Sequence, residues 1–342
     1  MINIKLKILF NLVLFILVLP LTLTVYANED QVPYSVKAIL PENQINDDVS
    51  YFDIGMDTEE ELTLEVIIQN YSAEEITINI NNNTATTNSN GLITYDGVDA
   101  EPHSSMKYPF NELSALSSDE VKVPAESEKS VTLNVKAPEE SFDGIILGGI
   151  QFTLEPEKAE QDEGVTVQNR FSYVIGVQIQ ENENNNEVEP ELILEDVNPG
   201  IINHRTGLQT EFANTTPVII NDVVFEGEVY KENSEEPLFK RKVEDFSIAP
   251  NSKFNFPVMY DNKELETGTY VFKGTATNEN NSWKFDQEFE VTEDKADEAN
   301  DEAVGIEDEE DSNFLMYLVV GLAILVVVLV GMVIALLIKR KK

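Results

Sequence analysis

Cysteine is absent from the 342-residue chain, and histidine (two) and tryptophan (one) are nearly so. Without cysteine there is no disulfide framework, no thiolate metal site and no cysteine nucleophile. An exported chain of this kind must be stable on burial alone, which domains above ~100 residues manage more easily than small ones. His103 and His204 stand too far apart to build a His-x-x-x-His or His-Glu-x-x-His zinc site. Cations are scarce as well: 23 Lys and Arg face 63 Asp and Glu, a formal net charge of −40. Such an excess repels phosphate backbones, whose binding needs clustered cations to displace counterions. Nucleic acid is thereby excluded as a partner, and the length allows about two domains.

The two ends set a topology. Lys5 and Lys7 precede an apolar run over 8–19, and Val25-Tyr26-Ala27 places small residues at a cleavage position. Residues 1–27 therefore read as a signal peptide. At the other end, 314–338 is a run of 25 apolar or glycine residues. At about 1.5 Å per residue a helix of that length spans roughly 37 Å, more than the ~30 Å hydrocarbon core of a bilayer. Lys339-Arg340-Lys341-Lys342 follows it, and Glu307-Asp308-Glu309-Glu310-Asp311 precedes it. Positive residues remain cytoplasmic, so a single-pass cell-membrane protein with its body outside is expected. A buried helix that is apolar all round and ends in four basic residues is the poorer reading. No Leu-Pro-x-Thr-Gly wall-sorting motif precedes 314, and Leu40-Pro41-Glu42-Asn43 is a partial match at the wrong end, so the anchor is expected to be retained. All 63 acids but only 17 of the 23 cations lie between the ends, leaving 46 excess negative charges on the exported part of what reads as a Gram-positive surface protein.

Alternation of apolar and polar residues dominates that part. Leu62, Leu64, Val66 and Ile68 share a face, as do Ile76, Ile78 and Ile80, then Val131, Leu133 and Val135, then Ile150, Phe152 and Leu154, then Phe171 through Ile179. Period two means strands with one buried face. Asn90-Gly91, Asp96-Gly97 and Asp143-Gly144 punctuate them as turns. The fold class predicted is all-β with two immunoglobulin-like β-sandwich domains: a first over 28–180, a polar linker over 181–191 and a second of about seven strands over 192–292. The eleven acids of 293–313 read as a solvated, self-repelling stalk before the transmembrane helix.

Chemistry is sparse. His103 precedes Ser104 and Ser105, which invites a wall-hydrolase reading, but no Gly-x-Ser-x-Gly elbow accompanies it. Carboxylates are too numerous for any pair to argue glycoside hydrolysis. Asn46-Asp47-Asp48 and Asp53 through Asp57 offer oxygens for calcium, yet neither matches a twelve-residue loop with a terminal bidentate Glu. No catalytic, cofactor or metal residue is assigned, and a binding role without enzymatic activity is expected. Exported sandwiches expose strand edges that a partner can extend, and the charge favours neutral or cationic partners.

A resemblance sharpens this. Tyr34 to Gln44, Ser50-Tyr51-Phe52-Asp53, Asn70-Tyr71-Ser72, Ala85-Thr86-Thr87-Asn88-Ser89-Asn90-Gly91, Tyr95 and Asp143 to Ile150 together resemble the first domain of the WxL-interacting proteins of Gram-positive bacteria. Asn198-Pro199-Gly200 and Phe212-Ala213-Asn214-Thr215-Thr216-Pro217 are similar to their second domain. The resemblance implies peptidoglycan binding by the first domain, contact with host matrix components by the second, and WxL-domain surface proteins as partners. It departs where a Pro-Gly turn is expected and Asp57-Thr58-Glu59-Glu60 stands. An alternative from the tandem architecture is a chaperone-like assembly factor for surface subunits. The candidate glycan or partner contacts are Tyr51, Tyr95 and Tyr108, as stacking rings or as buried packing, and Ala85, Thr87, Asn88 and Asn90, as sugar-binding or as a self-bonded loop.

Overall fold

The computed structural model of the chain describes residues 32–97, 102–156, 170–182, 187–260 and 263–305, together with Leu322 and Ile324. The expected signal peptide and, those two residues apart, the expected membrane span lie outside them. No helix among the described residues is long and apolar enough to cross a membrane.

The first domain holds β1 (Tyr34–Ile39), β2 (Phe52–Met56), β3 (Glu61–Asn70), β4 (Ile76–Thr84), β5 (Thr86–Thr87), β6 (Ile93–Thr94), the single helical turn α1 (Phe110–Leu113), β7 (Ser114–Leu116), β8 (Glu120–Val123), β9 (Glu128–Lys136), β10 (Ile146–Leu154) and β11 (Ser172–Glu181). They form a sheet β1-β3-β9-β7 and a sheet β2-β11-β10-β4-β8, with the small hairpin β5-β6 beside them. The alternating apolar residues close the space between the sheets: Leu64, Val66, Ile68 and Leu133 from the first, Ile54, Ile80, Phe152 and Val177 from the second, all essentially inaccessible. Two polar side chains stitch the layers. Tyr34 of β1 donates to the carbonyl oxygens of Phe152 (2.8 Å) and Phe171 (3.1 Å). The wholly buried Asn70 donates to the Val123 and Pro124 carbonyls. The ladder of β2 on β11 is parallel, from Val177 opposite Phe52 to Glu181 opposite Met56. The turn at 57–60 closes without Pro-Gly: Glu59 takes a left-handed φ of 61°, and the Glu60 carboxylate accepts from the Asp57 N–H at 2.7 Å.

The second domain holds β12 (Leu192–Ile202), β13 (Arg205–Asn214), β14 (Ile220–Lys231), β15 (Phe239–Ile248), β16 (Lys253–Asn255), β17 (Val258–Met259), β18 (Gly268–Thr277), β19 (Ser282–Val291) and α2 (Glu293–Glu302). Sheet β12-β13-β16, with β17 also on β13, faces sheet β15-β14-β18-β19. Phe212 of β13 is the hub between them, its ring centroid 4.8 Å from Phe225 and 4.9 Å from Phe285 of the opposite sheet. Trp283 packs against this same core.

Helix α2 departs from the sequence expectation, which placed a solvated stalk from residue 293. Thr292 caps it by accepting from the Lys295 N–H, and Glu293 and Asp294 occupy its first turn, where the positive end of the helix dipole favours them. Ala296 and Ala299, three apart and so on one face, are buried against the second domain. Asn300 both accepts from the Leu265 N–H (2.8 Å) and donates to its carbonyl (3.1 Å). Small residues on one face outweigh the acidic repulsion of the other, which is solvated.

The hairpin β5-β6 joins the two domains. Thr87 is buried; its Oγ1 accepts from the Ala249 N–H (2.9 Å) and meets Ser252 Oγ (2.9 Å). Ala85, Leu147 and Ala249 make a small apolar cluster across the joint. Gly91, at φ 78°, lies so close to the Phe246 ring that a Cβ would sit 2.3 Å from it, and its carbonyl accepts from the Ser247 N–H at 2.8 Å. Arg241 reaches back to the Ser89 carbonyl (2.7 Å) while lying 4.5 Å above the Phe256 ring; burial lowers its pKa.

Candidate functional site

Pleating sends alternate residues of β4, β10 and β11 away from the core. The registers align Asn79 with Thr153 and Ser172, Asn81 with Gln151 and Val174, and Asn83 with Gly149 and Gly176. These residues share the outward face of the five-stranded sheet, continued by Gln178 opposite Asp53 of β2. The strands β4 and β10 hold no charged residue, and β11 holds only Glu181 at its end. In a chain that is 25% charged, this is a neutral window of amides and hydroxyls.

Two tyrosines lie on it. A Cβ on Gly149 would be 2.8 Å from the Tyr95 ring, and one on Gly176 3.8 Å from the Tyr95 hydroxyl and 3.7 Å from Tyr51. The facing glycine pair is thus a socket that lets the Tyr95 ring rest on the backbone. Asn83 holds the ring's own segment in place by donating to the Tyr95 carbonyl at 2.8 Å. Tyr51 remains 39% exposed beside it, and Val174 42%. Burial, and secondarily the neighbouring Tyr51 phenol, raise the pKa of Tyr95, so the ring stays neutral. Charge on this face is confined to the outer strands: Glu120 and Lys122 of β8 stand opposite Asn79 and Thr77, and Asp53 of β2, 7% exposed, accepts from Gln178 Nε2 (2.9 Å) and Gln180 Nε2 (3.2 Å). Of the other oxygens considered for calcium, Asn46 Oδ1 accepts from the Asp48 N–H and Asp57 Oδ1 from Asn182 Nδ2.

The structure brings together Tyr51 and Tyr95 from the sequence candidates and separates the others. Ala85 and Thr87 face the second domain rather than solvent. Asn88 turns its side-chain oxygen onto the N–H groups of Asn90 and Leu92 (2.9 and 3.1 Å), a self-bonded loop with Asn90 exposed at its tip. Tyr108 lies at the domain joint, edge-on to Phe142 at 6.2 Å and 4.9 Å beneath the Lys107 ammonium. The amides of β4, β10 and β11 were missed by sequence reasoning; their signal was the absence of charge from three successive strands.

His103 is also part of the joint. Its Nδ1 accepts from the Ser105 N–H (3.1 Å) and lies 2.8 Å from Ser105 Oγ, and its Nε2 lies 3.1 Å from Glu195 Oε1. Lys253 completes the chain, 2.9 Å from Glu195 Oε2 and 3.3 Å from Glu211 Oε1. Burial alone would raise the pKa of Glu195, but the Lys253 ammonium outweighs it and the carboxyl ends below its usual range. Ser105 Oγ in turn accepts from Asn251 Nδ2 at 2.7 Å. A line of Ser, His and Glu is present, then, but it ties one domain to the other and its hydroxyl oxygen is engaged.

The comparisons with known proteins follow this division. Residues 34–154 match the family model described as the WxL Interacting Protein peptidoglycan binding domain, and residues 162–301 the one described as the WxL Interacting Protein host binding domain. The chain belongs to the WxL-interacting protein family. Its first domain corresponds to the peptidoglycan-binding domain of that family and its second to the host-binding domain. No curated protein matches the chain. Among solved structures it is similar to the YadV chaperone (9% identity, 75% of this chain and 100% of that one, TM-score 0.30). It is likewise similar to the CupB2 chaperone of Pseudomonas aeruginosa (12%, 68% and 97%, TM-score 0.26) and to PapD-like domain 7 of human CEP192 (8%, 45% and 87%, TM-score 0.28).

Proposed function

We propose that this WxL-interacting protein is a non-enzymatic, membrane-anchored adaptor of the Gram-positive cell surface. Its first domain binds peptidoglycan glycan, its second contacts host or matrix components, and the pair retains WxL-domain proteins at the wall. The observation that carries the first part is the neutral, tyrosine-bearing face of β4, β10 and β11. Glycan strands present ring faces that pack on tyrosine and acetamido and hydroxyl groups that exchange hydrogen bonds with Asn and Gln side chains. Peptidoglycan also carries carboxylates, which an acidic protein repels; a window whose central strands β4 and β10 carry no charge is where that repulsion is least. The outer face of the second domain differs in kind, with oppositely charged residues set across its strands, and suits a charged protein surface.

Binding is tested by sedimenting the full chain with purified, protein-free peptidoglycan. The chain is expected in the pellet, and the variant carrying Asn81→Glu and Gln151→Glu in the supernatant. A wild-type chain that stays soluble, or a double variant that pellets equally, contradicts the reading. Release of soluble wall fragments by the chain would instead show a hydrolase. A surface partner that dissociates once mature would show an assembly chaperone.

A further inference from the structure

Tyr95 reaches the neutral face from a hairpin too short to hold itself. Strands β5 and β6 pair over two rungs, Thr86 with Thr94 and Thr87 with Ile93, and even longer isolated strand pairs are marginal in water. The placement of the hairpin comes from clamps at its two ends. The first domain holds the base, through the Ala85 N–H on the Leu147 carbonyl (3.0 Å) and Asn83 Nδ2 on the Tyr95 carbonyl (2.8 Å). The second domain holds the rest: Ala249 and Ser252 meet Thr87, the Ser247 N–H donates to the Gly91 carbonyl, and Arg241 reaches the Ser89 carbonyl.

Arg241 is the costly member of this set. It is partly buried, with Nη1 donating to the Pro257 carbonyl (3.1 Å) and Nη2 to the Ser89 carbonyl (2.7 Å). In a chain with 63 carboxylates it pairs with none among the described residues. Withdrawing a cation from water for two neutral carbonyls is unfavourable, and what it supplies is geometry, because the planar fork fixes the direction of both bonds. One carbonyl belongs to each domain. The fork therefore sets the hairpin tip against the second domain, and the Phe256 ring 4.5 Å beneath it holds the fork in turn.

We propose that Arg241 is a positioning residue of the glycan face: by fixing the hairpin tip it seats the Tyr95 ring in the Gly149 and Gly176 socket, so the second domain completes the site that the first domain presents. The inference rests on the glycan reading above and assigns part of that site to the other domain.

The test is a double-variant cycle on the full chain, read by sedimentation with peptidoglycan. Arg241→Met keeps an unbranched stem over Phe256, removes the buried charge and leaves the half-exposed Ser89 segment to water. Arg241→Met and Tyr95→Ala are each expected to weaken binding about three- to fivefold, the worth of one aromatic contact, and the double variant no more than either alone. Losses that multiply in the double variant, or an Arg241→Met chain that binds as wild type does, overturn the proposal. Should Arg241→Met not fold, Arg241→Lys, which keeps the charge and loses the fork, carries the same cycle. His103→Gln cuts the domain joint away from the hairpin and is expected to leave binding within about twofold; a loss equal to that of Arg241→Met would make joint integrity the cause and overturn the proposal too. Ring placement is read without ligand, in chains carrying 3-fluorotyrosine: the Tyr95 fluorine resonance is expected to shift or broaden in Arg241→Met while that of Tyr71 stays in place. An unmoved Tyr95 resonance overturns the inference. A wild-type chain that fails to pellet rejects the glycan reading, and the fluorine resonance still decides whether Arg241 places the ring.

Discussion

The two domains share an architecture and differ in what they show to solvent. On the outward face of β14, β15, β18 and β19, Glu226 stands opposite Lys242, Glu228 opposite Lys240 and Lys273, and Lys273 opposite Asp286. The Lys273 ammonium also lies 4.8 Å over the Tyr230 ring, whose hydroxyl donates to Glu228 at 2.6 Å. The equivalent face of the first domain has amides, hydroxyls and two tyrosines over its central strands, with charge only on the outer strands at Asp53, Glu120 and Lys122. A charge ladder keeps an exposed sheet soluble and discourages edge pairing. A sheet without it is left open for a ligand. In a protein this acidic, the charge-poor face is the one that calls for explanation.

That contrast can be broken by moving charge. Glutamates at Asn81 and Gln151 should weaken peptidoglycan binding at least tenfold, about 1.4 kcal/mol. Lys240→Glu with Lys273→Glu, two charge reversals on the other domain, should leave it within about twofold, as surface changes away from a site do. Equal losses from the two pairs would mean that bulk charge, and not the face, governs binding. Removing one ring is milder: Tyr51→Ala should cost about three- to fivefold, near the ~0.5–1.5 kcal/mol of an aromatic contact, with the thermal midpoint unchanged.

Alkaline titration sharpens the account from the side of stability. Burial pushes the Tyr34 phenol up to about 12, and Tyr95 is raised by the same cause. A phenol whose pKa is higher folded than unfolded stabilises fully below the unfolded value, ~10, and that stability drains away as pH rises towards the folded one. Urea midpoints should be flat from neutrality to about pH 9.5 and then fall, and the fall should be shallower in Tyr34→Phe. The smallest effect expected is that of salt. Glycan binding by this face should change less than about twofold between 0.05 and 0.5 M NaCl, because screening acts on charges and its central strands carry none.

Much of the fold was legible because burial of one sheet face enforces a period of two. The runs at 62–68, 76–80 and 131–135 are the inward residues of β3, β4 and β9, and Ile175, Val177 and Ile179 of the run at 171–179 are those of β11. Less legible was whatever depended on distant partners. Ala85 and Thr87 read as a polar loop, since nothing near them in sequence shows that Ala249 and Ser252 close over them. The acidity of 293–302 hid a helix whose evidence, Thr292 and the spacing of Ala296 and Ala299, is quieter than its charge. The candidate site was half legible: Tyr51 and Tyr95 stood out as rings, but a missing charge is not a motif, and the meeting of Gly149 with Gly176 is a matter of register.

Tyrosine nitration on the full chain, with and without soluble peptidoglycan fragments, tests the central claim most directly. Tyr51 on the neutral face is 39% exposed and Tyr71 off it 62%, so both react in the free protein. The account predicts that fragments protect Tyr51 and leave Tyr71 reactive; Tyr51 nitrated at an unchanged rate under saturating fragments would contradict it.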